Sequence, residues 1–399
     1  MEKGNVRRPI YLDYNATTPV APEVAAAMRP FLHAEFGNPS SSHVFGVEAQ
    51  KSVVAARHSV AKLIGAGPGE IVFTGSATEA NNFALLGVAR ALPAKRHIVI
   101  SAVEHPAVMQ PALHLRELGW ALDIVPVDAS GRVDPATVAA ALRPDTSLVS
   151  VMHANNEVGT LQPIAEIATL ARANGSLMHT DAAQSAGKIV VDVDALGVDL
   201  LTLAGHKFYA PKGIGALYVR RGTPIAPIQF GAEQERGLRP GTENVPHIVG
   251  FGAAARLARE CLPQTTEKLA ALRDELHRRL VAAVPGLLLN GHPEYRLPNT
   301  LHVSFPGVSG RDLLLACADS VAASVGSACH AHGDAVSGVL AAMGCDATRA
   351  RGAVRLSVGR YTTDGEIEAA AVTLIGAWQR LTNNGLAVPA ATDIEERIQ

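Results

Sequence analysis

The sequence predicts an α/β fold, with a large domain built on a mostly parallel, seven-stranded sheet flanked by helices and a smaller α+β domain beside it. Three observations predict it. Between residues 70 and 220 short apolar runs alternate with stretches of helical period. The runs are rich in Val, Ile and Leu on both faces, as expected of strands covered by helices on either side. After about residue 258 the strict alternation stops. A chain of 399 residues has room for two such domains.

In chain order, the strands are read from "EIVFTG", "RHIVISAVEH", "LDIVPVD", "SLVSVMHANN", "SLMHTDAAQ", "VDLLTLAGHK" and "GALYVRR". Intervening segments such as "ATEANNFALLGVARAL" and "PIAEIATLARANG" carry apolar residues at helical spacing. A long amphipathic stretch, "TTEKLAALRDELHRRLVAAV", then leads to "TLHVSF", the short helix "GRDLLLACAD", "VAASVGS", "AVRLSVG" and a last helix, "TTDGEIEAAAVTLIGAWQRL". The large domain is placed at residues 14–258. Residues 1–13 and 259–399 form the small one, which carries a loop at about 324–338. The tail "GLAVPAATDIEERIQ" reads as frayed.

Composition excludes several classes of function. Lys plus Arg number 35 against 37 Asp plus Glu, without blocks of like charge, so neither nucleic acid nor an anionic membrane is expected as a partner. The start "MEKGNVRRPI" lacks the apolar core of a secretory signal, and apolar runs such as "VDLLTLAG" are too short to span a bilayer; a cytoplasmic location is expected. The four cysteines form no C-x-x-C pair, which argues against a disulfide framework. Cys261, Cys317 and Cys345 lie in or beside helical patterns and read as small buried hydrophobes.

Polar residues cluster where strands end. Thr78, His105, Asn156, Asp181 with Gln184, and Lys207 each follow an apolar strand, and in open α/β sheets ligands bind beyond the strands' carboxyl ends. Helix capping accounts for a Thr or an Asp in such a place. It does not account for a lysine, a histidine and an Asp-x-x-Gln together. A desolvated lysine can form a Schiff base with an aldehyde cofactor. An aspartate on a pyridine nitrogen keeps the ring an electron sink. Hydroxyls and amides at a helix N-terminus receive phosphate. These parts favour pyridoxal 5'-phosphate over a nucleotide, whose phosphate-binding motifs are absent.

"SVGSACHAHGD" surrounds Cys329 with small and polar residues, followed by His330, His332 and Asp334. Such a loop suits a mobile nucleophile. It also holds zinc-competent atoms, although their spacing matches none of the usual structural pairs, so no metal is expected.

The ordered set "YLDYNATTP", "FGNPSS", "VEHPAV", "ANNEVGT", "HTDAAQSAGK", "GHKFYAPKGIGALYVRRG", "RPGTENV", "GSAC" and "RLSVGR" covers nearly the whole chain. In it the sequence resembles the cysteine desulfurases of the class V pyridoxal-phosphate aminotransferase group. The resemblance implies pyridoxal phosphate fold type I and a homodimer with active sites at the subunit interface. It implies that Lys207 holds the cofactor as a Schiff base, that Asp181 pairs with the ring nitrogen and Gln184 with the phenolic oxygen, and that His105 stacks on the ring and moves protons. Ala77, Thr78 and His206 would bind the phosphate, with Thr242 from the other subunit. Asn156 would also contact the cofactor and, with Arg355 and Asn38, hold the substrate carboxylate. Cys329 would take sulfur from L-cysteine as a persulfide, leaving L-alanine, and pass it to an acceptor such as iron–sulfur cluster assembly.

Two departures stand out. Ala204 occupies the place of a serine common in relatives, and "TGSATE" exchanges Gly75 and Ser76 relative to the usual turn. The loop "ACHAHGD" is nearer to the selenocysteine lyases of the same group, so cleavage of L-selenocysteine to alanine and selenide is the alternative activity. A metal-binding loop on another kind of pyridoxal-phosphate enzyme is a remote one.

Overall fold

The computed structural model describes residues 8–326 and 337–383. Twelve strands occur among them: β1 (Ile10–Tyr11), β2 (Ile71–Thr74), β3 (His97–Ser101), β4 (Ala121–Val125), β5 (Thr146–Ser150), β6 (Leu177–Asp181), β7 (Leu200–Ala204), β8 (Gly215–Val219), β9 (Leu288–Asn290), β10 (Thr300–Ser304), β11 (Val321–Ala322) and β12 (Ala353–Ser357). The seven strands read from the alternating region form one sheet in the order β2-β8-β7-β6-β5-β3-β4. All are parallel except β8, which runs antiparallel to both its neighbours.

Double-sided burial explains why these strands are apolar throughout. In β2, Ile71 and Phe73 enter the core on one face while Val72 enters the core on the other; in β8, Ala216 and Tyr218 face one way and Leu217 and Val219 the other. Strand β4 lies at the edge, and there Asp123 and Ile124 are exposed. Between the adjacent strands β3 and β5 the connections diverge, since β3 leads outward to β4 and β5 leads back to β6. A crevice is expected at such a switch point.

A third core lies apart from that sheet. The antiparallel sheet β12-β10-β9 packs its apolar residues with Leu269, Leu272, Leu276 and Leu280 and with the helix Asp364–Asn383. The helix Val245–Ala283 joins the two regions: its first half, including Phe251 and Ala254, belongs to a core of the large sheet, and its second half to this one. The chain start is built in here as well, because β1 pairs in parallel with β11 and Leu12 is fully buried in the same cluster.

The structure extends or amends three readings. Strand β9 was not legible, and "VAASVGS" supplies only the two-residue strand β11 within its described part. Cys317 is buried, but Cys261 and Cys345 are half-buried. Cys329, His330, His332, Asp334 and the tail from residue 384 lie outside the described residues. Among the described residues, no helix is long and apolar enough to cross a membrane.

One clamp ties the large sheet to the segment that follows β8. Glu235 sits in left-handed backbone (φ 49°) and takes both terminal nitrogens of Arg57, at 2.7 and 2.5 Å, while its Oε2 also accepts from Phe73 N at 2.9 Å. Both charged ends are largely buried. Glu235→Ala leaves Arg57 uncompensated, and a loss of about 3 kcal/mol in unfolding free energy is expected. Urea titration of both chains measures it, and a loss below about 1 kcal/mol would show that the pair is screened like a surface bridge.

Candidate active site

Lys207 leaves β7 through the single helical turn Gly205–Lys207, and Asp181 is the last residue of the neighbouring strand β6. Adjacent parallel strands therefore bring the lysine and the carboxylate to one end of the sheet. Lys207 Nζ donates to the carbonyl oxygens of Asn15, at 2.6 Å, and Ala16, at 2.9 Å. Burial, then the Arg355 charge, lowers its pKa to about 8 against the opposing influence of Asp181 and Asp13.

Asp181 is buried and accepts from Asn81 Nδ2 at 2.7 Å and from Ala183 N at 2.9 Å. Both donors are neutral, and no cation contacts the carboxylate among the described residues. Asn81 reaches it because the helix Ala77–Ala91 crosses over β8, β7 and β5. Its own Oδ1 is buried without a partner among the described residues.

The start of that helix is built with some care. Ser76 caps it by accepting from Glu79 N at 3.1 Å, Glu79 Oε2 takes Gly75 N at 2.7 Å, and Arg239 holds Glu79 at 2.8 Å. The exchanged "GS" order thus places the hydroxyl at the cap. Gly215 of β8 has no room for a side chain, since a Cβ there would lie 2.9 Å from Ala77 N and 2.7 Å from Ser76 C. Ala77 and Thr78 thereby open the helix against the sheet, where its free amides favour an anion.

His105 caps the next helix, its Nδ1 accepting from Ala107 N at 3.0 Å, which leaves the proton of the neutral ring on Nε2. Burial lowers its pKa, with Asp181 opposing and Lys207 reinforcing the shift. A cleft of ≈ 540 Å³ opens beside His105, Thr78 and Asn82. His206 rests on Thr17 Oγ1 at 3.1 Å, and burial followed by Lys207 pushes it down to about 4.

Arg355 projects from β12 of the smaller sheet. It donates to Asn156 O at 3.0 Å and to Asp13 Oδ1 at 2.8 Å, while Nε is buried with no partner among the described residues. Gln184 donates to Asn15 O at 3.0 Å and receives Lys188 Nζ on Oε1 at 2.9 Å. Two expected residues stand apart. Asn38 is exposed and its Oδ1 accepts from Ser40 N within a turn, and Thr242 is exposed without a hydrogen bond to this cluster among the described residues. Asp13, Asn15, Asn81 and Lys188 had no assigned role in the sequence reading. Asn81 offered a signal, an amide on an otherwise apolar helix face, whereas Asn15 acts partly through its carbonyl, which every residue has.

The residues fit an aldehyde cofactor with a basic ring nitrogen and a phosphate. A lysine with lowered pKa, a buried carboxylate lacking a cation, and a helix N-terminus meet at one sheet end. The family model for "Aminotransferase class-V" matches residues 10–370. The "Cysteine desulfurase IscS" of Dictyoglomus turgidum is 47% identical over 360 residues, covering 90% of this chain and 91% of that protein. A solved NifS-like protein superposes with a TM-score of 0.87 at 38% identity, covering 94% of this chain and 100% of its own. A second, described as "SspA in complex with cysteine", gives 0.79 at 36% identity and covers 88% and 99%.

The lysine's electrostatics are testable in the cofactor-free chain. A nearby positive charge disfavours the ammonium form, so Arg355→Gln should raise the Lys207 pKa by roughly one unit. Reductive methylation followed by mass spectrometry at Lys207 should show a pH midpoint near about 8 in the parent. An unchanged or lower midpoint in the variant would sink this account.

Proposed function

The chain belongs to the class-V aminotransferase family, and from that premise we propose that it is a pyridoxal-phosphate-dependent cysteine desulfurase. It converts L-cysteine to L-alanine and keeps the sulfur as a persulfide on Cys329. The observation that carries the reading is the juxtaposition of Lys207, with its lowered pKa, and the buried Asp181 at neighbouring strand ends. Pyridoxal 5'-phosphate, when bound, supplies an aldehyde that captures amino groups and a ring that stabilises negative charge at Cα.

The protein's own groups supply the rest. Lys207 is the amine that would hold the cofactor, and its free amine would take the Cα proton; a pKa of about 8 leaves a useful fraction unprotonated near neutrality. Asp181, fixed by Asn81 and Ala183 N, balances a protonated ring nitrogen. Gln184 would donate to the phenolic oxygen, and His105 presents a neutral ring with its proton on Nε2. Ala77, Thr78 and His206 would receive the phosphate, with Thr242 supplied across a homodimer interface. Arg355 and Asn156 hold the substrate carboxylate, the bidentate fork of arginine suiting that group. Asn38 is the outlying member of that set. The Cys329 thiolate attacks the substrate sulfur: an S–S bond forms as the Cβ–S bond breaks, and Cβ takes a proton. A cytoplasmic location and delivery of sulfur to acceptors such as iron–sulfur cluster assembly belong to the same proposal. The sequence of the Cys329 loop also favours selenocysteine lyase activity as a second reading.

Alanine and sulfide release from L-cysteine, with reductant and beside L-selenocysteine, separates the two. Turnover of L-cysteine that falls at least about 100-fold in Cys329→Ala is expected. Negligible cysteine turnover with brisk selenocysteine cleavage would make the chain a lyase. Borohydride should fix the cofactor on Lys207; an adduct on Lys212, or on no lysine, would overturn the site assignment.

A further inference from the structure

Lys188 is a second lysine in the same neighbourhood, fully enclosed and without a carboxylate partner among the described residues. Its Nζ donates to Gln184 Oε1 at 2.9 Å and to Asn15 Oδ1 at 3.1 Å. Burial, and then the charges of Lys207 and Arg355, hold its pKa well below the ordinary lysine value. Two of its N–H groups thus have an acceptor. Lys188 and Lys207 also line one small void of ≈ 10 Å³, together with Tyr14, Thr18 and Asn299.

Both acceptors are side-chain amide oxygens. An amide's two ends have nearly the same shape, so its orientation is decided by its hydrogen-bond partners. Asn15 is held redundantly: Oδ1 also takes Asn299 Nδ2 at 2.9 Å, and Nδ2 donates to Thr300 Oγ1 at 2.9 Å and to Asn156 O at 3.3 Å. Gln184 is not. Among the described residues its side chain has two contacts, Nε2 to the Asn15 carbonyl at 3.0 Å and Oε1 from Lys188. Lys188 therefore supplies half of what holds this amide in one orientation.

We propose that Lys188 is a positioning residue for the reaction: by donating to Gln184 Oε1 it locks the amide so that its remaining N–H, and not its oxygen, is offered to the cofactor's phenolic oxygen. This rests on the cofactor reading above. An N–H donor stabilises the deprotonated phenolic oxygen, whereas an amide oxygen in its place repels it. Without Lys188 the protonated form of the bound cofactor persists to higher pH.

The test is the pH titration of the bound cofactor's visible absorbance in the parent, K188M, Q184A and the double variant, with circular dichroism to confirm folding. K188M should raise the midpoint by about one pH unit, roughly the worth of one hydrogen bond. Q184A should raise it similarly, and the double variant should go no further than the larger single shift. K188Q, which keeps an N–H donor, should return the midpoint toward the parent. An unmoved midpoint in K188M, or shifts that add in the double variant, would overturn the proposal, the latter by showing that Lys188 acts as an independent charge. If K188M does not fold, the same cycle run with K188A, which also removes the donor, carries the non-additivity criterion. A parent chain that shows no chromophore after loading overturns the cofactor reading itself, which the other outcomes leave standing.

Discussion

The carbonyl oxygen of Asn15 accepts from both Lys207 Nζ and Gln184 Nε2, and the arrangement of the site depends on holding that one peptide still. Its neighbours extend the grip. The next carbonyl, of Ala16, takes Lys207 as well, and Asp13, two residues earlier, takes Arg355. The Asn15 side chain, buried and fully used, reaches Lys188, Asn299, Thr300 and the Asn156 carbonyl. A segment of four residues thus touches groups that follow β6 and β7 in one sheet and groups within β10 and β12 of another. Backbone acceptors suit this task because they are placed by the chain itself and carry no rotamer freedom to lose.

The surroundings of that peptide are electrostatically frugal. Several titratable groups are kept neutral by burial, among them His105, His206 and His179, the last pushed down to about 3. Glu104, beside His105, goes the other way, up to about 8, although Ser101 Oγ and Met152 N donate to it. The charge that remains is concentrated on few groups. Asp181 keeps two neutral donors, and Arg355 is matched by Asp13. In a low-dielectric pocket each such group acts strongly on its neighbours, as the effect of Arg355 on Lys207 illustrates.

Much of this was legible because burial on both faces leaves a plain mark: the strands of the large sheet, apart from the edge strand β4, stand out as buried apolar runs, and the polar residues that close them are conspicuous. Lys207 and Asp181 could be paired because β6 and β7 are consecutive and parallel, so their ends had to meet. The three-residue strand β9 left no such mark, its exposed Leu288 and half-buried Leu289 reading like a loop. Asn38 sits in a turn with its side chain accepting from Ser40 N, and composition does not distinguish a side chain that bonds its own backbone from one that reaches outward. Asn15 works through contacts across distant parts of the chain, which no local pattern encodes, and of the two acceptors of Lys188 only Gln184, four residues away, is local.

The ion pair between Asp13 and Arg355 spans 342 positions of sequence, and that distance has a temporal meaning. Chains emerge during synthesis at roughly 5–20 residues per second, so Asp13 precedes its partner by on the order of 20–70 s. The large sheet can close long before then, with Lys207 already at the end of its strand. From the emergence of β8, which ends at Val219, until Arg355 follows, roughly 7–30 s later, the nascent protein would hold a folded half without that arginine. The ion pair that balances Arg355 is therefore completed only well after the large sheet can have closed, as a result of where in the sequence the partner of Asp13 lies.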